Sequence, residues 1–245
     1  METASFQQVL ARPKQSEQLP PCGAGCATGA DIRGWISVIA QRRKLGLWDA
    51  EAFSRAWRMV TDVNPFPATL GRICPHPCEA GCNRAGKDGA VAINALERFL
   101  GDWGLRQGLR LQQLEEDEKP ESIGVIGAGP AGLSFAYQMA RRGYRVTVYE
   151  KNAKPGGMLQ YGIPEYRLPE DILAAEVGRI VALGVKLKLG TGIGREVSVP
   201  ELRARHDILF LGIGALRARM LGIPGEDGGG VWTGTEYLAS VNRGE

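Results

Sequence analysis

Apolar positions recur at three- and four-residue intervals through the first part of the chain, and then the period changes. In "DIRGWISVIAQRRK", Ile32, Trp35, Ile36 and Ile39 fall on one side of a helix, with Asp31 placed to cap its start. "DAEAFSRAWRMV" repeats the arrangement, with Asp49 as the cap and Phe53, Ala56, Trp57 and Val60 as the stripe. "VNPFP" ends that helix, because proline cannot continue it. "VAINALERFLGDWG" aligns Ile93, Leu96, Leu100 and Trp103. No strand-like alternation of any length interrupts these segments. "QQLEEDEKPES", residues 112–122, is polar and acidic and reads as an exposed connection.

Beyond it the texture is that of alternating strand and helix. "SIGVIGAG" reads as a short buried strand, "PAGLSFAYQMARRG" as a helix and "YRVTVYE" as a second strand, which together make a βαβ unit. A helix over about 170–183 ends at Gly184. "VKLKL" and "HDILFLGIG" read as further strands, the first with Val185, Leu187 and Leu189 facing one way. The expected fold class is α plus α/β, with a helical domain over 1–118 followed by the first part of a Rossmann-like domain over 119–245.

Composition narrows the function. The chain is 44% hydrophobic and 23% charged, ordinary for a soluble globular protein, and its formal net charge of +3 gives no case for binding nucleic acid or a membrane surface. No apolar run reaches the length of a membrane span. "METASFQQVLARPKQSEQLPP" lacks an apolar core and a cleavage signature, so no secretory signal is expected and the cytoplasm is the expected compartment. With two histidines and no nucleophile–histidine–acid constellation, nothing supports a hydrolase. His76 reads as a loop residue between prolines and His206 as structural.

"GAGPAG" supplies Gly127, Gly129 and Gly132 in G-x-G-x-x-G spacing. A strand precedes it, a helix follows, and Glu150 ends the next strand 23 residues beyond Gly127, near the spacing of about 20 that a ribose-binding acid takes. Gly127 permits the tight turn, Gly129 lets the backbone approach a pyrophosphate, and Gly132 lets the helix pack close to the sheet. The helix N-terminus attracts the phosphate charge. Spacing alone leaves FAD and NAD both open. Gly156, Gly157 and Gly162 follow shortly after, and such bare backbone suits the approach of a flat ring.

The chain has five cysteines, three of them in "ICPHPCEAGC". Cys78 and Cys82, at i and i+4, would share one helix face, while Pro75 and Pro77 keep the preceding loop out of helix and let Cys74 turn toward the same centre. Cys22 and Cys26 have the same spacing upstream. Grouped thiols in a reducing compartment point to metal ligation, and an iron–sulfur cluster needs thiolates converging on a compact core. Zinc, which favours tighter C-x₂-C knuckles, and inert buried thiols are the alternatives.

"GVIGAGPAGLSFAYQMARRGYRVTVYEK", "PGGMLQYGIPEYRLP" and "FLGIGALRARMLGIPGED" resemble the flavin half of the NADPH-dependent glutamate synthase small-subunit family, to which the N-terminal part of dihydropyrimidine dehydrogenase is related. "GRICPHPCEAGCNR" with "AINALERF" resembles the helical iron–sulfur domain that precedes it. The resemblance implies FAD along Gly127, Gly129, Pro130, Ala131, Gly132, Glu150 and Lys151, with the isoalloxazine near Gly157, Met158 and Gly162. It implies a 4Fe–4S cluster on Cys26, Cys74 and Cys78. Glu97 stands where the family uses a glutamine side chain as fourth ligand, with a remaining cysteine as the alternative. Cys22 and Cys82 match ligands of a second cluster, which would need a partner chain or another side chain to complete it. The family's upstream C-x-x-C is missing from "RPKQSEQLPP", and its NAD(P)H domain would begin about where the chain stops. NAD(P)H is therefore not expected to bind this chain, and both a fragment and a short subunit remain open.

The resulting expectation is an NAD(P)H-linked electron-transfer oxidoreductase subunit, working with other redox subunits, in which FAD exchanges electrons with the cluster. The competing readings are a cluster-bearing docking or assembly subunit without catalysis, and a nicotinamide-binding dehydrogenase without flavin.

Overall fold

The computed structural model describes residues 20–215 and 218–245. Most of the N-terminal stretch behind the expectation of no secretory signal lies outside the described residues. Helices come first: α1 (Pro21–Gly25), α2 (Ile32–Ala40), α3 (Asp49–Thr61), α4 (Pro67–Ile73), α5 (Pro77–Ala80) and α6 (Ile93–Arg106). The α/β part follows as β1 (Ser122–Ile126), α7 (Pro130–Ala140), β2 (Arg145–Tyr149), α8 (Met158–Tyr161), α9 (Glu170–Val181), β3 (Lys186–Lys188), α10 (Val199–Arg205), β4 (Ile208–Leu211) and α11 (Gly234–Arg243). The sheet order is β3-β2-β1-β4 with parallel pairings, the order of half a Rossmann fold.

The helix starts show which local signals held. Asp31 caps α2, its Oδ1 accepting from the N–H of Gly34 at 2.9 Å. Asp49 does not cap α3. The cap position is Trp48, without a side-chain bond, and Asp49 is the first helical residue, paired with Arg42 at 2.5 Å. Its charge still favours the positive end of the helix dipole. Two capping boxes passed over in the sequence, Ser198 with Glu201 and Thr233 with Glu236, start α10 and α11.

The buried faces are turned relative to the predicted stripes. On α6 the buried residues are Ile93, Leu100, Gly101 and Gly104, while Leu96 and Trp103 are only half-buried. The glycines decide this. A Cβ at Gly101 would fall on the backbone of Ala68 in α4, and one at Gly104 would fall on the Trp57 indole of α3. Gly71 of α4 would collide in the same way with the backbone of Arg98. Bare helix surfaces let α4 lie directly against α6. Trp103 instead packs at the rim with Phe53 and Phe99, at ring-centroid distances of 5.3 and 6.4 Å.

One hydrophobic core runs from Trp35, Trp57 and Leu100 of the helical part into Val125, Leu133, Ala136, Val148 and Ile180 of the α/β part. Polar contacts close the seam. Tyr137 donates its hydroxyl to the carbonyl of Thr61 at 2.5 Å, and Arg141 donates to the carbonyl of Asp62 at 2.7 Å and pairs with its carboxylate at 2.8 Å. The acidic connection is pinned to the end of α7: the N–H groups of Leu114 and Glu115 donate to the carbonyl of Arg141, and that of Lys119 to the carbonyl of Gly143. Deepest in the seam is Glu176 of α9, fully buried, whose two carboxylate oxygens accept from the N–H groups of Ala68 at 2.7 Å and Thr69 at 2.9 Å.

Burial pushes the Glu176 carboxyl from 4.5 up to about 7, against the downward pull of those N–H donors and of Arg179. Between these values the folded chain holds a proton that the unfolded chain has released, so stability falls as pH rises through this window and levels off above it. Denaturant unfolding of the wild type and of Glu176→Gln should diverge by at most about 3 kcal/mol between pH 4.5 and 8, the wild type losing stability relative to the variant. Parallel pH profiles would contradict the buried ionisation.

Candidate functional site

Two groups of residues carry the chemistry, and each is assembled by a different part of the fold. The first lies at the C-terminal ends of β1 and β4. The chain runs from β1 outward through β2 to β3, then returns to the other side of β1 as β4, so a crevice opens where the order reverses. The N–H of Gly127 donates to the carbonyl of Tyr149 and the N–H of Gly212 to the carbonyl of Ile126, both at 2.8 Å, extending both ladders to the edge of the crevice. Phe135 of α7 stacks on Phe210 of β4 at 4.1 Å and holds the helix over that edge.

The three glycines of the turn are there for different reasons. Gly127 has φ of 102°, a left-handed conformation, and a Cβ would run into the carbonyl oxygen of Gly212. A Cβ at Gly132 would collide with the carbonyl oxygen of Gly127, so close packing of helix on turn requires its absence. Gly129 has neither excuse. Its φ is −79°, and a Cβ there would meet nothing nearer than Gly157 Cα at 3.9 Å. It sits at the cap of α7 without a side-chain hydrogen bond, followed by Pro130, which has no N–H to offer. The helix terminus beside Ala131 and Gly132 is therefore open and unblocked, the arrangement that receives a phosphate.

Glu150 directly follows β2, is buried, and already accepts three hydrogen bonds: from the N–H of Ala128 at 2.9 Å, and from the N–H and side-chain amide of Asn152 at 2.9 and 2.8 Å. An ionised carboxylate has about four acceptor sites, so room remains for a hydroxyl. Lys151 is exposed, its Cβ lying 3.5 Å from where a Cβ on Gly192 would be. The second glycine loop folds back onto the first. Gly156 donates to the carbonyl of Ala128 at 2.7 Å, and a Cβ on Gly157 (φ 54°) would meet Gly129 Cα at 2.8 Å. Met158 begins α8 and is exposed over Gly162, the cap at its other end.

The second group joins segments far apart in sequence. α1 packs on α5, and a Cβ on Gly25 would stand 3.2 Å from Cys78 Cα. Cys22 and Cys26 pack against the same core cluster that contains Cys78. Burial, then the neighbouring thiols of Cys26 and Cys74, and finally Glu79 push the Cys78 thiol up to about 11. The Cys26 and Cys74 thiols thus lie near enough to Cys78 for their negative forms to oppose its ionisation. Among the described residues no three His, Cys, Asp or Glu side chains gather closely enough to hold a single metal ion. Cys74 is the C-cap of α4, and its sulfur accepts the N–H of His76 at 3.3 Å. His76 itself is held at φ of 44°, a signal hidden between its two prolines.

Cys82 departs from expectation. α5 ends at Ala80, so Cys78 and Cys82 do not share a helix face. The Cys82 thiol lies half-buried, drawn below its ordinary pKa mainly by the backbone N–H of Val91, with Arg84 and Ala85 adding to it. Glu97 on α6 is turned toward Asn64, accepting from its amide at 2.7 Å, and burial holds its carboxyl above the usual range. The other face of Asn64 accepts the N–H of Phe66 at the start of α4. Glu79 plays the corresponding part for α6, accepting from the N–H of Asn94 at 2.8 Å.

Comparison with known proteins gives a match in each of these two parts of the chain. Residues 11–109 match the family described as dihydropyrimidine dehydrogenase domain II, 4Fe-4S cluster, and residues 125–169 match an NAD(P)-binding Rossmann-like domain. The β subunit of the NADP(+)-dependent formate dehydrogenase of Moorella thermoacetica is 34% identical over 91% of the chain and 33% of its own length. The NADPH glutamate synthase small chain of Bacillus subtilis is 32% identical over 98% of the chain and 50% of its length. The NAD-dependent dihydropyrimidine dehydrogenase subunit PreT of Escherichia coli K12 is 33% identical over 86% and 50%. The chain thus spans a third to a half of the length of these curated relatives.

The different duties of the turn glycines are separable by experiment. Gly132→Ala should lower stability by about 1–3 kcal/mol in denaturant unfolding, as overpacking does. Gly129→Ala should stay within about 1 kcal/mol of the wild type, since its backbone and surroundings accept a methyl group.

Proposed function

We propose, for a chain that belongs to the family of the glutamate synthase small chain and the dihydropyrimidine dehydrogenase subunit PreT, an electron-transfer role between FAD and a 4Fe–4S cluster. The observation that carries the reading is the packing of α1 against α5, which brings Cys22 and Cys26 onto the core cluster that contains Cys78, from segments remote in sequence. Cys26, Cys74 and Cys78 would hold the cluster, with Glu97 or a further cysteine as the fourth ligand. Cys22 and Cys82 would serve a second cluster only with ligands from elsewhere. The division of labour follows a boundary at residues 118 and 119.

FAD would lie along the crevice, its pyrophosphate against Gly129 and the start of α7, and its ribose hydroxyls on the remaining acceptor site of Glu150. The open Gly129 supports a dinucleotide, because nothing in the protein itself calls for glycine there. The return of Gly156 and Gly157 onto Gly129 supports FAD over a nicotinamide dinucleotide, since it brings a second bare backbone segment beside the phosphates for the flavin ring. When bound, the flavin supplies the exchange between hydride pairs and single electrons, and the cluster carries single electrons.

The residues of this chain bind and orient. Pro130 and Ala131 shape the helix terminus, and Lys151, Met158 and Gly162 would border the cofactor. The N–H of His76 donates to Cys74 Sγ, a hydrogen bond of the kind that tunes cluster potential. Donor chemistry with NAD(P)H, and the terminal acceptor, would belong to other redox subunits or to domains beyond these residues. A cytoplasmic setting suits thiols that must stay reduced to hold a cluster. No described helix is long and apolar enough to cross a membrane.

Anaerobically prepared chain should contain about four iron and four sulfide per chain, together with the visible absorption bands of oxidised flavin. Cys78→Ser should abolish the iron and keep the flavin, whereas Gly129→Ala should weaken flavin at least about tenfold and keep the iron. Iron without flavin would support a cluster-bearing assembly subunit instead. Protein free of both would end the redox reading.

A further inference from the structure

A helix whose first residue is proline has one fewer N–H to satisfy, but the next two remain. α4 begins at Pro67, and its cap residue Phe66 offers no side-chain bond. The acceptors for Ala68 and Thr69 come from the other part of the protein, as the two oxygens of Glu176. A buried carboxylate is expensive to desolvate, and apolar residues generally fill such a seam at lower cost. Its place here answers a geometric need. Each oxygen takes one N–H, so both the height and the rotation of α4 are fixed against α9.

α4 behaves as a rod. It is seven residues long, which is roughly 10 Å of helix. Gly71 lies against α6, and Arg72 pairs with Asp102 of α6 at 2.8 Å. At the far end the N–H of Cys74 closes the last turn on the carbonyl of Leu70 at 2.9 Å. Where α4 goes, Cys74 follows. The same α9 also supports the glycine turn. One turn before Glu176, Leu173 lies under Gly156, where an added Cβ would stand 2.8 Å from its Cδ2. Gly156 in turn holds Ala128. Positions three apart on a helix share a face, so one face of α9 touches both the floor of the dinucleotide turn and the head of the cysteine-bearing helix.

We infer that Glu176 is a positioning residue for Cys74, through which α9 sets the spacing between the dinucleotide turn and the cysteine cluster. The inference rests on the proposed cluster only for its consequence in electron transfer, whose rate falls steeply with distance. The mechanical link itself belongs to the polypeptide. Arg179, one turn further along α9, braces the site with its guanidinium 5.1 Å from the centre of the Trp57 ring.

The test compares wild type, Glu176→Ala and Glu176→Gln as full chains, with Glu170→Ala as an exposed control on the same helix. In iron-free protein, the alkylation rate of each cysteine is followed by peptide mass mapping. Cys74 should react several-fold faster in Glu176→Ala, with Cys22 and Cys82 unchanged, and Glu176→Gln should fall between, since it keeps one acceptor. In iron-loaded protein the reduced cluster should give a shifted paramagnetic resonance spectrum at unchanged iron content. Unchanged Cys74 reactivity in a folded Glu176 variant overturns the inference; should the alanine variant fail to fold, the glutamine variant carries the same comparison. Wild-type protein that takes up no iron overturns the cluster reading alone, and the Cys74 rates still decide the role of Glu176.

Discussion

Two backbone N–H groups at the head of α4 have no acceptor in their own half of the molecule, and the carboxylate that takes them comes from a helix more than a hundred residues later. Much of the arrangement follows from that demand. It joins the helical and α/β parts by a polar contact at the bottom of an apolar seam, where an unmatched donor would be most costly. It fixes the short helix that ends in Cys74, and it commits α9 to a position under the second glycine loop. The cysteines and the dinucleotide turn are thereby parts of one scaffold.

The glycines divide the remaining work. Gly71, Gly101 and Gly104 remove side chains where helices must touch, which lets α4, α6 and α3 form a tight trio with little room to slip. Gly127 and Gly132 do the same for turn and helix at the sheet edge, one by conformation and one by contact. Gly129 stands apart, because its lack of a side chain leaves open space outside the protein's own packing. Structural demand and ligand demand can thus be told apart within one short motif, which the bare spacing does not allow.

The α/β half was legible because its signals are local. A strand, a glycine turn, a helix and an acidic strand end lie within one βαβ unit, and parallel strands with a crossover admit few other arrangements. Asp31 was legible for the same reason, since cap and acceptor are three residues apart. Asp49 was misread because the chain before α3 already supplies Trp48 at the cap, and the carboxylate finds Arg42 instead. The stripe on α6 was misread because the hydrophobic period cannot show that glycine, the residue with no side chain to count, marks the closest contact. Cys82 was placed on a helix with Cys78 by spacing alone, whereas α5 stops first.

The amino-acid order by itself determined the helical and α/β elements, the strand that carries the glycine turn, and the chemical character of the cysteine group. These depend on neighbours within a few turns of chain, where propensity and period act directly. Which helix packs α1 and its cysteines, which face of α6 is buried, and which side chain receives the head of α4 were decided only by tertiary structure. Each of these joins residues too far apart for any local pattern to encode, and each is settled by which surfaces can approach and which buried donors must find an acceptor.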